Sequence, residues 1–177
     1  VKNRYGRGVI RALRTGFETI RDGAVLVAMA DLSDDLSAVD VMVRKMDEGY
    51  DIVCGSRYMR GGRQIGGPRL KNALSRIAGV SLRYLTGIPT HDVTNSFKLY
   101  SRKTLDAVTI ESNGGFELGM EIVIKSYQKG HKIAEVPSTW YDRQAGTSRF
   151  RLFRWLPKYL YWYLTALCGN KPNSPYR

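Results

Sequence analysis

Apolar positions in residues 7–21 recur at helical spacing, with Val9, Leu13 and Phe17 joined by Ile10 and Ile20 on one side, and this predicts an amphipathic helix. The run 24–30 (AVLVAMA) is short, wholly apolar and ends at Asp31, the pattern of a buried parallel strand. A helix is expected over 37–48 and is closed by Gly49. Residues 51–55 (DIVCG) form a second buried strand, with Ser56 and Arg57 at its end. The glycine-rich stretch 61–67 reads as loop, and 70–85 as a helix with Leu74, Ile77, Ala78 and Leu82 on one face. Strands over 93–100 and 132–141 flank a helix over 116–129. This alternation predicts an α/β layered domain with parallel crossovers. In such sheets a ligand lies at the carboxyl ends of the strands, which singles out Asp31, Ser56 and Arg57.

With 177 residues and 43% hydrophobic content, the chain has material for one core. Its 28 basic and 16 acidic residues leave a net charge of +12, which calls for an anionic partner: a phosphate-bearing substrate, an acidic membrane surface or nucleic acid. Cys54 and Cys168 stand far apart, outside the spacing of a disulfide framework or a zinc site, and a reducing compartment is the natural reading. The segment 150–168 (FRLFRWLPKYLYWYLTALC) carries Arg151, Arg154, Lys158 and Pro157, and its uncharged part is shorter than the roughly 20 residues a helical span needs. Tryptophans and tyrosines beside Arg and Lys suit a membrane interface; the same residues suit a helix packed on the domain, and the sequence leaves both open.

Chemistry concentrates in a few stretches. Asp31, Asp34 and Asp35 crowd one turn after an apolar strand, as oxygen ligands of Mg²⁺ or Mn²⁺ do; equally, acids there cap the next helix. Gly55-Ser56-Arg57-Tyr58, Gly61-Gly62 and then Arg69, Lys71 and Ser75 make either a cationic nest for phosphate oxygens or a solvated basic face. Arg143, Thr147, Ser148 and Arg149 surround Gly146 in a loop able to close over a phosphate, or in an ordinary surface loop. The polar run from His91 to Lys98, through Asp92, Thr94 and Asn95, occupies the start of an expected strand and so lines a cleft or anchors its loops. Glu121 either orients a basic residue or is structural. His91 and His131 are the only histidines, and neither has a triad-like setting.

The order of RYGRGVIRALRTGF, ADLSDD, GSRY, RLKNALSR, DVTNSFKLY, GGFELGMEI, KIAEVPSTW and DRQAGTSRF resembles that of the glycosyltransferases of family 2, most closely the dolichol-phosphate mannose synthase branch and its bacterial and archaeal relatives. The likeness runs over nearly all of residues 3–150. It implies an α/β fold of the GT-A nucleotide-diphospho-sugar transferase type, with residues 1–149 as its C-terminal two-thirds and 150–177 as an aromatic, basic tail at a membrane interface. It also implies a metal-dependent, inverting transfer from a nucleotide sugar of the GDP-mannose or UDP-glucose class to a polyprenyl phosphate, at the cytoplasmic face of a membrane, with no nucleic-acid partner. By motif, Asp31 stands at the second acid of the metal motif and Met29 at the first; Arg57, Lys71, Ser75, Arg143, Ser148 and Arg149 stand where phosphates are held. Asp92 falls on an Asp-x-Thr motif and is grouped with Asp31 and Arg57 as catalytic, while Asp31, Asp34 and Asp35 form the candidate metal set. The family's first βαβ portion has no counterpart here, so the chain is expected to be N-terminally incomplete.

A phosphate acceptor is already anionic and needs positioning and charge compensation rather than a strong base. An acceptor hydroxyl on a glycan would instead require a carboxylate base, for which Asp92 or Glu121 are the candidates. A basic binding module without catalysis is the remaining alternative, and it has no need of the acidic turn.

Overall fold

The computed structural model describes residues 2–142 and 152–169, with the backbone alone at 152–154. In chain order its elements are α1 (Val9–Thr19), β1 (Ala24–Val27), a 3₁₀ turn (Leu36–Ala38), α2 (Val39–Asp47), β2 (Ile52–Ser56), β3 (Arg63–Ile65), α3 (Arg69–Thr86), β4 (Lys98–Ser101), α4 (Arg102–Ala107), α5 (Leu118–Gln128), β5 (Ile133–Pro137), β6 (Thr139–Tyr141) and α6 (Leu152–Cys168). Strands β1, β4, β2 and β5 form a sheet in that spatial order, and β3 pairs with β6 in a small parallel sheet beside it.

The main sheet is mixed rather than parallel. β4 runs antiparallel to both β1 and β2, and only β2 and β5 pair in parallel. The chain leaving α3 therefore returns between β1 and β2 in the reverse direction, and the expectation of parallel crossovers fails at this strand. Register is set by which side chains each face must bury: Leu26, Leu99 and Val53 are aligned across β1, β4 and β2. All three pack with Met42, Phe97 and Val136 on the α2 side. Val25, Tyr100 and Ile52, aligned one position away, point to the opposite face, among Phe17 of α1, Leu82 of α3 and Met120 to Ile124 of α5. Helices thus cover both faces, and the wholly buried β2 reads as a continuous apolar run for that reason.

Three local differences from the sequence reading matter for the site. The strand expected over 93–100 begins only at Lys98, because side chains take the place of a ladder upstream: the Asn95 amide donates to Gly55 O at 2.8 Å, and the backbone N–H of Asn95 donates to Asp92 Oδ1 at 3.1 Å. The stretch 61–67 is not all loop, since Arg63–Ile65 pairs with Thr139–Tyr141. The strand expected over 132–141 breaks at Ser138, so its second half leaves the main sheet and joins β3.

Helix α6 packs one face on the domain, matching one of the two expectations for the aromatic segment, and exposes the other. Trp162 and Ala166 are buried in the larger core cluster, whereas Leu156, Leu160, Tyr161 and Leu164 face outward. Among the described residues no helix is long and apolar enough to cross a membrane.

Candidate functional site

The acidic turn follows directly from β1. Asp31 is exposed and its Oδ1 accepts from Ser33 N at 3.2 Å, around a Leu32 held at φ 59°. A left-handed leucine is an uncommon conformation for a side chain of that size, and such strain gathers at functional turns. The segment behind it is pinned to β6 by its backbone: Tyr141 N donates to Ser33 O at 2.8 Å and Asp35 N to Thr139 O at 3.1 Å.

The three acids do not converge. Asp34 is buried, and its Oδ2 accepts from Met29 N at 2.9 Å; burial pushes its carboxyl above the usual range. The Asp35 carboxylate caps the 3₁₀ turn through Ser37 N at 3.0 Å. Among the described residues no group of three or more acids, histidines or cysteines is placed to hold a metal. The expected trio is therefore not gathered at one point: Asp34 folds inward, Asp31 and Asp35 each accept one backbone N–H, and Asp31 is the most exposed of the three. One exposed carboxylate fits a cation that takes its remaining ligands from a diphosphate, the usual way Mg²⁺ is held.

At the end of β2, Arg57 and Asp92 form a buried, two-pronged pair. Arg57 Nε donates to Asp92 Oδ2 at 2.6 Å and Nη2 to Oδ1 at 2.8 Å, while the backbone N–H of Arg57 adds a third bond to Oδ2 at 3.0 Å. Burial alone would raise the Asp92 carboxyl, but the charge and hydrogen bonds of Arg57 outweigh it and hold Asp92 below the usual carboxylate range. Burial likewise works against the guanidinium charge and Asp92 outweighs it, so Arg57 stays firmly protonated. The same guanidinium reaches Ser75 Oγ on α3 at 3.1 Å and Thr94 Oγ1 at 3.2 Å. Tyr58 OH then ties Ser75 Oγ, at 2.9 Å, to Gln64 on β3, at 2.8 Å, and Gln64 donates to Asn72. One hydrogen-bonded network thus joins β2, α3, β3 and the 92–95 turn.

Asp92 has no exposed surface and its charge is matched by Arg57; in this structure it fixes the guanidinium in place. Arg57 and Ser75 are brought together as expected, and Lys71 lies one turn before Ser75 with its Nζ over the Trp140 ring at 5.9 Å. Arg143, Ser148 and Arg149 lie outside the described residues; β6 and Asp142 lead into them directly from the strand that pins the acidic turn.

Sequence reasoning passed over Lys98 and Glu117. Lys98, wholly buried in the central strand, donates from Nζ to the carbonyls of Val93 and Asn95 and so holds the turn that carries Asp92. Burial draws its ammonium below the usual lysine range. Its place in the polar run next to Asp92 was the only signal of this. Glu117, also buried, accepts from Gly114 N at 2.7 Å and Gly115 N at 2.9 Å, closing the glycine turn before α5. Glu121 does orient a basic residue: it accepts from Lys125 Nζ at 2.8 Å and from Glu111 N and Ser112 N, and it too is buried.

An apolar cavity of about 300 Å³ lies between the end of β1, at Met29 and Ala30, the glycine turn, at Gly115 and Phe116, and α1, through Val9, Leu13 and Phe17. The end of β1 and the start of α5 therefore face each other across open space.

Comparison with known proteins agrees with this architecture. The family model described as Glycosyl transferase family 2 matches residues 1–109. Polyprenol monophosphomannose synthase of Mycolicibacterium smegmatis is 30% identical over 148 residues, which cover 82% of this chain and 54% of that protein. Dolichyl-phosphate hexose transferase of Haloferax volcanii is 28% identical over 155 residues, 83% of this chain and 66% of that one. The chain thus spans between half and two-thirds of the length of these relatives. Glucosyl-3-phosphoglycerate synthase from Mycobacterium tuberculosis, crystallised with Mn²⁺, UDP-glucose and phosphoglyceric acid, superposes with a TM-score of 0.64 at 16% identity, covering 97% of this chain and 58% of that one. At that identity the likeness speaks for the fold, which is of the GT-A type, with the chain matching part of it. From the family model, the order of motifs and the sheet that carries them, the chain belongs to Glycosyl transferase family 2.

Proposed function

We propose that this chain carries the acceptor-side portion of an inverting glycosyltransferase that moves a sugar from a nucleotide-diphospho-sugar to a polyprenyl phosphate. The observation that carries this reading is the state of the two carboxylates a hydroxyl acceptor would call on. Asp92 is locked to Arg57 and Glu121 to Lys125 and two backbone N–H groups, and both are fully buried. Both are held as ion-pair partners away from solvent, which is not the setting of a general base. A phosphate acceptor needs none: its oxygen attacks the anomeric carbon from the face opposite the departing diphosphate, and the site has only to place it and balance its charge.

Arg57, Ser75, Lys71, Arg143, Ser148 and Arg149 are assigned to the phosphates by motif; of these, Arg57 and Ser75 already bond to each other, so the buried Arg57–Asp92 pair acts by holding this end of the site in place. Asp31 would hold a Mg²⁺ or Mn²⁺ ion, which neutralises charge on the nucleotide diphosphate when bound. Relatives named for polyprenol and dolichyl phosphate support this acceptor class, and a fold neighbour crystallised with Mn²⁺ and UDP-glucose supports the donor and the ion.

The acceptor is a lipid, and the outer faces of α3 and α6 suit a membrane surface. α3 exposes Leu70, Ile77 and Tyr84 beside Arg69 and Arg76; α6, packed against it, exposes Leu156, Leu160, Tyr161 and Leu164. Apolar side chains flanked by arginines lie at headgroup depth without spanning. We place this face on the cytoplasmic side, where nucleotide sugars are available.

The test uses the complete gene product with Mg²⁺ or Mn²⁺, a short polyprenyl phosphate and a panel of UDP- and GDP-sugars. Sugar recovered in the chloroform phase, dependent on the metal and lost in Arg57→Ala, is the expected result. Transfer to a glycan hydroxyl with no lipid product would overturn the acceptor assignment, and absence of nucleotide-sugar binding would overturn the reading as a whole.

A further inference from the structure

The glycine turn whose Gly115 and Phe116 line the apolar cavity is not held by its own helix alone. Three successive positions on the inner face of α6 touch it. Trp155 meets Phe116 edge to face, with ring centroids 5.8 Å apart at 90°. One turn on, Lys158 Nζ donates to Asn113 Oδ1 at 2.5 Å while lying 5.4 Å from the Trp155 ring centroid. Two turns on, the buried Trp162 donates from Nε1 to Ser112 Oγ at 3.1 Å, with Lys125 Nζ 5.0 Å from its ring centroid. Spacings of three, four and seven place these residues on one stripe of a helix.

The turn is shaped to receive that stripe. A side chain at Gly114 would overlap both the Trp155 ring and the Glu117 carboxylate, so glycine is the residue that lets the indole approach. Gly115 sits at φ 146°, and the pair has more conformational freedom to lose than any other residues would. The Glu117 carboxylate gathers both glycine N–H groups, and Tyr159, between Lys158 and Trp162, is half-buried and packs against the larger core cluster.

We propose that Trp155, backed by Lys158 and Trp162, is a positioning residue for the transfer: α6 fixes the turn whose Gly115 and Phe116 line the cavity, and that turn orients the acceptor. This rests on the glycosyltransferase reading. A reaction that depends on the placement of two substrates loses rate when one wall of the site shifts by about 1 Å, by as much as ~100-fold. Because the turn acts on the acceptor, donor binding is spared.

The experiment compares wild type, Trp155→Ala and Trp155→Phe in the complete gene product. Its two readouts are amide hydrogen exchange at Gly114 and Gly115 and steady-state transfer to a short polyprenyl phosphate. Trp155→Ala should exchange faster at both glycines and lose ~10- to 100-fold in kcat, with donor KM within about twofold and the melting temperature of the domain nearly unchanged. Trp155→Phe, which keeps an edge-to-face partner for Phe116, should recover most of both. Unchanged exchange in Trp155→Ala overturns the proposal. So does faster exchange without loss of transfer, or a loss of transfer that tracks global unfolding in both variants. A wild type that transfers sugar to no acceptor sinks the functional reading itself, and with it the catalytic role given to the wall; the exchange data then still report whether α6 holds the turn.

Discussion

Arg57 and Asp92 lie 35 residues apart in the chain, yet the carboxylate of one receives both the side-chain fork and the backbone N–H of the other. This single pair joins the end of β2 to the turn before β4. It puts the cationic group of the site on a rigid mount, because both charges are buried and each is the other's main partner.

Breaking that pair from one side should be costly. Asp92→Asn keeps the shape but leaves the guanidinium buried without its counter-charge, and we expect a loss of about 3–5 kcal/mol in unfolding free energy, measured by chemical denaturation. A change below ~1 kcal/mol would show that water reaches Arg57 and that the mount is soft.

The same pair sets an acid limit. Asp92 titrates below its ordinary value of 3.8 in the folded protein, so its contribution is fully present above that pH and is lost as pH falls through the lower folded value. Stability followed against pH by circular dichroism should hold down to about 4 and then decline, and the decline should be shallower in Asp92→Asn. Equal slopes in the two proteins would assign the acid sensitivity to other carboxylates.

Asp31 is predicted to separate activity from stability. It is exposed, and Asp31→Ala should change unfolding free energy by less than ~0.5 kcal/mol. Metal-dependent transfer should fall by ~100-fold or more, and the metal concentration needed for half-activity should rise. If Asp34→Asn removes activity while Asp31→Ala does not, the ion sits deeper in the turn than proposed.

The outward leucines of α6 give a membrane test. Leu160→Glu and Leu164→Glu should each weaken binding to anionic vesicles by ~10-fold, as expected for withdrawing one aliphatic side chain from the interface, while the melting temperature stays close to wild type. Binding that depends on salt alone and ignores both changes would mean that charge, and not this apolar face, holds the protein to lipid.

Much of this site was legible in the sequence, and the reasons differ by residue. Strand ends mark themselves by a change from apolar to polar, so Asp31 and Arg57 could be placed at the rim of a sheet before any coordinates. Partners far apart in sequence carry no such mark: nothing in the order of residues says that Asp92 is consumed by Arg57, and the carboxylate therefore looked available. Three adjacent acids also look alike until the backbone turns. One of them then caps a helix and another folds inward, because a left-handed Leu32 redirects the chain between them. The direction of β4 was hidden for a related reason. Alternation of faces shows that a strand exists but not which way it runs, and the polar run before Lys98 concealed where it starts. The helix of aromatic residues was ambiguous because one of its faces packs on the core and the other is exposed, and periodicity alone does not say which residues take which face.

Strand β1 stands at one end of the main sheet, bonded to β4 on a single side. Its other row of N–H and C=O groups has no ladder partner among the described residues, and β1 is a short run of Ala, Val, Leu and Val with no charge or proline to discourage pairing. Produced by itself, the chain would offer this edge to another copy, and its yield as a monomer depends on covering it. A charged substitution at the exposed Ala24, Ala24→Lys, would blunt the edge while leaving the buried Val25 and Val27 to hold the core.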